Sequence, residues 1–143
     1  MAEQEQRQPG AADQPDTPKV DQLFADPTWK QQAERPGILE QLGRRLDDML
    51  SSKSQSLKSY IEDIKLAYTM VRDPGFSIDH PTRVVVIIAL LYLISPIDLL
   101  PDGIPVLGLL DDVLVIGYAL KQAAAELERY RALQQDTRVA QAQ

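Results

Sequence analysis

The sequence predicts an all-α fold, a small helical bundle of about four to five helices built around an apolar helical hairpin, with a disordered N-terminal tail. Apolar residues recur at spacings of three and four over much of the chain, and prolines and aspartates divide this pattern into segments. The centre is a run of eleven consecutive apolar residues, Val84–Ile94. The 143 residues suffice for one domain, and the absence of cysteine excludes disulfide frameworks and thiolate chemistry.

Residues 1–36 are predicted to form a disordered polar tail. They are rich in Gln, Asp, Glu and Pro, and their few apolar side chains cannot offset the entropy lost on ordering. Trp29 is the exception, and we expect it to dock onto the adjacent domain. The first residues lack the apolar core of a signal peptide, so secretion is not expected. The helical domain is predicted at 37–134 and a flexible C-terminal tail at 135–143.

Two amphipathic helices are predicted at the start of the domain, over residues 38–50 and 57–71. Each places its apolar residues on one stripe and most of its charged residues off it. The stripes consist of Ile38, Leu39, Leu42, Leu46, Met49 and Leu50, and of Leu57, Tyr60, Ile61, Ile64, Tyr68 and Val71. The second helix should end at Asp73-Pro-Gly, because a residue before proline disfavours helix.

An apolar hairpin is predicted over residues 84–120. Asp79-His80-Pro81 marks its start, since a capping carboxylate precedes a proline in the first turn. The run Val84–Ile94 is apolar on every side, so this helix must be surrounded. Ser95-Pro-Ile-Asp98 has the spacing of a capping box, and the prolines that follow favour short turns at a hairpin tip. A last helix is predicted over residues 108–134.

The segment from Tyr92 to Asp112 resembles the signature of the YkvA-like family, PxDxxPDxxPxxGxxDD. The matching positions are Tyr92, Pro96, Asp98, Pro101, Asp102, Pro105, Gly108, Asp111 and Asp112, and Arg83 stands where the family usually has Lys or Arg. The resemblance, with its motif core at residues 80–120, implies a small helical bacterial protein usually described as a predicted membrane protein. The family has no established activity, so the resemblance supplies no catalytic residues.

Membrane association is the leading prediction for the hairpin. Residues 84–110 hold 19 apolar residues against two aspartates. On a scale of membrane-insertion free energies, the favourable contribution of the apolar residues and the cost of the two aspartates nearly cancel. The depth at which the aspartates lie therefore decides whether insertion is favourable. Aspartates at a tip that reaches the headgroups cost little. Arg83 and Lys121 flank the hairpin on one side, as expected for a bacterial inner-membrane anchor with cytoplasmic termini.

Two alternatives remain open. In the first, the amphipathic stripes pack around residues 84–94 as a soluble cytoplasmic bundle. In a chain this small, we expect them to leave part of the hairpin exposed. In the second, a homo-oligomer buries the exposed face, which would make the chain a self-assembling interaction module. The expected partner is therefore a lipid bilayer, an apolar protein surface or a second copy of the chain.

Asp98, Asp102, Asp111 and Asp112 form the one cluster with metal-binding chemistry. If the turn brings them together, their oxygens would bind a hard divalent cation such as Mg²⁺ or Ca²⁺. Otherwise each has a structural task, because carboxylates cap helices and stabilise their first turns. The structural interpretation is favoured, and no resident cofactor is expected.

No catalytic constellation is visible in the sequence. His80 is the only histidine, Ser95 has no neighbouring base, and Tyr92 is expected to pack in the hairpin. Nucleic acid is not an expected ligand, because residues 38–72 carry six Lys/Arg against five acids and residues 73–112 carry six aspartates. The predicted function is therefore a non-enzymatic, membrane-associated helical module.

Overall fold

The computed structural model describes residues 17–94 and 112–142 of the chain. These residues form seven α-helices and one 3₁₀ turn, with no strand among them, which confirms the predicted all-α class. The α-helices are α1 (Thr17–Ala25), α2 (Pro27–Ala33), α3 (Ile38–Ser52), α4 (Ile61–Arg72), α5 (His80–Leu93), α6 (Asp112–Gln122) and α7 (Ala124–Ala142), and the 3₁₀ turn is Lys58–Tyr60.

The helical domain begins earlier than the sequence predicts. Residues 17–33, expected to belong to the disordered tail, form α1 and α2, while residues 1–16 lie outside the described residues. The Asp26 carboxylate caps α2 by accepting hydrogen bonds from the backbone N–H groups of Thr28 (2.8 Å) and Trp29 (3.2 Å). The apolar side chains of these helices, Val20, Leu23, Phe24, Trp29 and Ala33, are all buried. Burial against the rest of the chain thus supplies the stability that the local sequence lacks.

Helices α3 and α4 match the two predicted amphipathic helices and approach each other closely at Gly43. A Cβ atom at Gly43 would overlap the hydroxyl oxygen of Tyr68, so a larger residue there requires the tyrosine side chain to shift. That hydroxyl donates a hydrogen bond to the carbonyl oxygen of Leu39 at 2.9 Å. Gly37 precedes α3 in the left-handed conformation, with φ +81°, which favours glycine.

Helix α5 is the centre of the bundle. Its start is the predicted one, since the Asp79 carboxylate accepts hydrogen bonds from Thr82 N (3.1 Å) and Oγ1 (2.8 Å). The side-chain and backbone hydrogen bonds from Thr82 hold the pKa of Asp79 below its usual value. No residue from Val86 to Leu91 is more than 2 % exposed.

Four helices, α2, α3, α4 and α6, pack around α5. Leu114, in the part of the hairpin formed by α6, is 39% exposed, but the expectation that part of the hairpin stays exposed is wrong for residues 86–91 of α5. The reason is α2, which supplies a cover that the predicted disordered tail could not. The arrangement is the predicted bundle around residues 84–94, with one more layer on it.

Helices α6 and α7 complete the bundle. Arg129 Nη2, on α7, donates to the carbonyl oxygen of Ser77 at 3.0 Å, just before α5 begins. Helix α7 starts two residues after α6 ends, so the end of α6 also lies near the start of α5. Helix α6 therefore runs back alongside α5, as a hairpin requires. The Tyr130 hydroxyl donates to Asp73 Oδ2 at 2.8 Å. Helix α7 extends to Ala142, so residues 135–142 of the predicted flexible tail are helical.

Candidate functional site

Three of the predicted site residues lie in the described part of the chain: Arg83, Tyr92 and Asp112. The other predicted residues lie outside it, namely Ser95, Pro96, Asp98, Pro101, Asp102, Pro105, Gly108 and Asp111. Whether the four aspartates converge therefore stays a prediction. Among the described residues, no group of three or more His, Cys, Asp or Glu side chains could hold a metal ion.

Asp112 occupies the first turn of α6 and is paired with a lysine. Lys53 Nζ, just after α3, lies 2.7 Å from Asp112 Oδ2, and both side chains are about one-quarter exposed. The carboxylate also lies where the partial positive charge of the helix N-terminus favours an anion. Both contacts are those expected of a structural carboxylate.

The end of α3, the end of α5 and the start of α6 meet at one end of the bundle. We name this region the hairpin end and define it by Arg45, Asp48, Lys53, Ile94 and Asp112. A shallow groove of about 300 Å³ lies there, lined by Arg45, Asp48, Met49, Ser52, Lys53, Leu93 and Ile94. Two cations stand against two anions, so the hairpin end has little net charge. Its floor is apolar.

Arg83, which is partly buried, ties α5 to α4. Its Nη1 atom donates to the carbonyl oxygen of Val71 at 2.8 Å, in the last turn of α4, where backbone carbonyls have no partner within the helix. The positive charge also complements the partial negative charge at that helix end. The basic residue at this motif position thus has a structural task in this chain.

Tyr92 belongs to an aromatic seam that joins α1 and α2 to the hairpin. The seam consists of Phe24, Trp29, Tyr92 and Tyr118. The Phe24 and Tyr118 rings stack with centroids 4.7 Å apart, and the Trp29 and Tyr92 rings lie tilted at 6.2 Å. The docking of Trp29 onto the domain agrees with its prediction, and its exposure is 3 %. Sequence reasoning missed Phe24 and Tyr118, whose pairing no local pattern indicates.

Two polar atoms in the seam region are buried without a hydrogen bond. Within the described part of the chain, Trp29 Nε1 and Gln32 Oε1 have no partner. Each such atom costs about 1–3 kcal/mol relative to a hydrated or bonded one. The contact between α2 and α5 is therefore less favourable than its apolar burial alone would make it.

A second groove, of about 370 Å³, lies between the turn after α2 and the start of α5. His80 Nε2 and Glu34 Oε2 form an ion pair at its rim, and both side chains are about half exposed or more. His80 thus lies at the surface, in the first turn of α5. A pair so exposed contributes little to stability.

The fold and its site define a class of protein: a small helical module with an enclosed apolar helix and an aspartate- and proline-rich segment after that helix in the sequence. Residues 82–118 match the family described as "Protein of unknown function (DUF1232)". A relative from Bacillus subtilis (strain 168), named "Uncharacterized membrane protein YkvA", is 32% identical over 83 residues, which cover 54% of this chain and 77% of that protein. The chain belongs to the YkvA-like family. No solved structure matches it.

In residues 17–94 and 112–142, none of the helices is both long enough and apolar enough to cross a bilayer.

Proposed function

We propose that this chain is a non-enzymatic, membrane-associated helical module, anchored by the 84–120 hairpin at the inner face of a bacterial membrane. The observation that carries the proposal is the relationship to a protein named as a membrane protein. The separate family match, residues 82–118, covers most of the hairpin. Because α5 is enclosed by its neighbours, the proposal gives the membrane contact to residues 95–111, which follow it in the sequence.

Length supports partial insertion rather than a crossing. Helix α5 has 14 residues, which correspond to about 21 Å, whereas the hydrocarbon core of a bilayer is about 30 Å thick. By sequence, residues 95–111 contain eight apolar residues together with Asp98, Asp102 and Asp111. Such a composition suits the boundary between headgroups and acyl chains, where the cost of a carboxylate is low.

Charge indicates which force drives the association. The chain carries a formal net charge of −6, and Arg45 and Lys53 at the hairpin end are offset by Asp48 and Asp112. Attraction to anionic lipids is therefore weak, and burial of apolar side chains must provide most of the free energy. Binding to vesicles should then depend little on salt or on anionic lipid.

We base the proposed orientation on the charges that flank the hairpin. Arg83 and Lys121 lie at the opposite end from the hairpin end, because α5 starts and α6 ends there. Arg83 precedes the apolar hairpin in the sequence and Lys121 follows it, so both positive charges lie at the same end of the hairpin. The positive-inside tendency prefers such charges on the cytoplasmic face. The bundle, with both described termini, would lie on the cytoplasmic side.

Vesicle flotation of the full chain tests the proposal. We expect the wild type to float with phosphatidylcholine vesicles, and the variant L99Q/L100Q to float at least about fivefold less, since two buried leucines are lost from lipid. The control L133Q/V139Q changes two apolar residues of α7 that are 49% and 58% exposed, and should float like the wild type. A wild type that stays with the soluble fraction would refute the proposal.

A further inference from the structure

Helices α1 and α2, which we name the N-terminal strap (residues 17–33), cover the hairpin. Helix α1 packs against α6, and α2 packs against α5. The strap contacts come from the aromatic seam, in which Phe24 stacks on Tyr118 and Trp29 lies against Tyr92. The strap lies outside the family match of residues 82–118, so it is a cover placed on the family core.

The strap is joined to the rest of the chain by a short connection that contains one glycine. Residues 34–37 link α2 to α3, and Gly37 holds a left-handed conformation there. No side chain caps the N-terminus of α3, and Gly37 would meet nothing within 4 Å if it carried a Cβ. Pro36 and the hydrogen bond from Arg35 to Gln41 order the rest of the connection, so Gly37 is the residue at which the strap would turn.

The polar contacts of the strap hold it weakly. The Glu34–His80 ion pair is exposed to solvent. Breaking such a pair costs little free energy, because water solvates both charges. In the described residues, Trp29 Nε1 and Gln32 Oε1 remain without hydrogen-bond partners as long as the strap is closed. Both atoms gain partners when the strap reaches a hydrated surface, so opening removes an unfavourable contribution.

We infer that the N-terminal strap is a reversible cover, which leaves the hairpin when the chain meets a lipid bilayer. The opened strap exposes Tyr92 and Tyr118 to lipid and carries Trp29 into the interface between headgroups and acyl chains. Indole and phenol rings favour that region because one edge is apolar and the other bonds water or headgroups. This inference rests on the proposed membrane association and adds to it a conformational step and a lipid-binding face.

Trp29 reports on this step directly, because it is the only tryptophan of the chain. The full chain is bound to phosphatidylcholine vesicles, with or without bromine in the acyl chains, and the fluorescence of Trp29 is compared. We expect bromine to reduce the emission by about threefold or more, since the opened strap places the indole within contact distance of the acyl chains. Emission that is unchanged in floated protein would overturn the inference.

A covalent lock gives the matched control. In F24C/Y118C, the two cysteines replace the stacked rings and, because the chain has no other cysteine, a bismaleimide linker joins them specifically. The same variant alkylated with two separate benzyl groups restores aromatic side chains without the link. We expect bromine quenching in the benzylated form and its loss, by about threefold, in the linked form.

The outcomes separate the two proposals. If the wild type does not float, the proposed function fails and the strap inference fails with it. If the wild type floats but bromine does not quench Trp29, or the linked and benzylated forms are quenched equally, only the strap inference fails. Thermal unfolding of the linked and benzylated forms shows that each is folded, and the wild-type measurement decides the question if either is not.

Discussion

Lys53 Nζ lies 2.7 Å from Asp112 Oδ2, which joins the end of α3 to the first turn of α6 across 59 residues of sequence. Of the four aspartates in the family signature, Asp112 is the one in the described part of the chain. Its negative charge is matched by a lysine and by the N-terminus of its own helix. The contact fixes where the hairpin returns to the bundle.

Removing either partner of this pair should cost a modest amount of stability. We expect K53M and D112N each to lower the free energy of unfolding by about 0.5–1 kcal/mol, because the pair is partly shielded from water. The double variant K53M/D112N should lose less than the sum, and high salt should shrink the difference. Urea unfolding measures all four proteins. The exposed K65M is the control, and full additivity would show that the pair contributes no interaction energy.

Arg83 should matter more, because its partner is a carbonyl group at a helix end. We expect R83M to lower the free energy of unfolding by about 1.5–3 kcal/mol, since Val71 O loses a charge-assisted hydrogen bond in a half-buried setting. R83K keeps the charge near the end of α4 and should recover part of the loss. Urea unfolding of R83M and R83K gives both values. Equal stability of R83M and the wild type would show that the hydrogen bond from Arg83 to Val71 does not stabilise the fold.

Gly43 tests the close packing of α3 on α4. Alanine favours a helix interior over glycine by about 1 kcal/mol, yet G43A should destabilise the chain by about 1–3 kcal/mol because its Cβ would lie 2.2 Å from Tyr68 Oη. Removing that oxygen in Y68F should make the same glycine substitution much less harmful. A thermodynamic cycle of G43A, Y68F and the double variant checks this. A stabilising G43A would show that the helices are farther apart.

The raised pKa of Tyr130 predicts a loss of stability at high pH. Burial and the hydrogen bond to the Asp73 carboxylate both raise the pKa of Tyr130 above its usual value of 10.0. A group whose pKa is raised by folding stabilises the fold fully below its unfolded pKa, and this contribution is lost as the pH rises through the folded pKa. Wild-type stability should therefore fall above about pH 10. Thermal unfolding from pH 8 to 12 should show a smaller fall in Y130F, and parallel curves would contradict the assignment.

The sequence predicts well those elements whose signals are local. Helices α3, α4 and α5 were predictable because each carries a full apolar stripe or run, and because Asp79 and Asp73-Pro-Gly mark a start and an end. The predicted last helix, residues 108–134, is divided at Ala123 into α6 and α7, and α7 continues to Ala142. Periodicity and capping act over a few residues, so one sequence suffices to recognise them.

Elements stabilised by distant contacts escaped sequence reasoning. Helices α1 and α2 have nine and seven residues, too few to be stable alone, and they exist because Phe24 and Trp29 are buried on the hairpin. The cap Asp26-Pro27 was the one local signal for α2. The Lys53–Asp112 contact likewise could not be predicted from the sequence, because the two residues are far apart in the chain and no sequence pattern pairs them.

Hydrogen exchange of α5 tests most directly the claim that the chain encloses its own apolar helix, with the N-terminal strap as the last cover. In the wild type without lipid, the amides of residues 88–91 should exchange only through global unfolding. In F24A/W29A, which removes the two large aromatic contacts of the strap, they should exchange at least about tenfold faster. Wild-type amides of α5 that exchange as fast as those of the exposed residues 135–139 would contradict the claim.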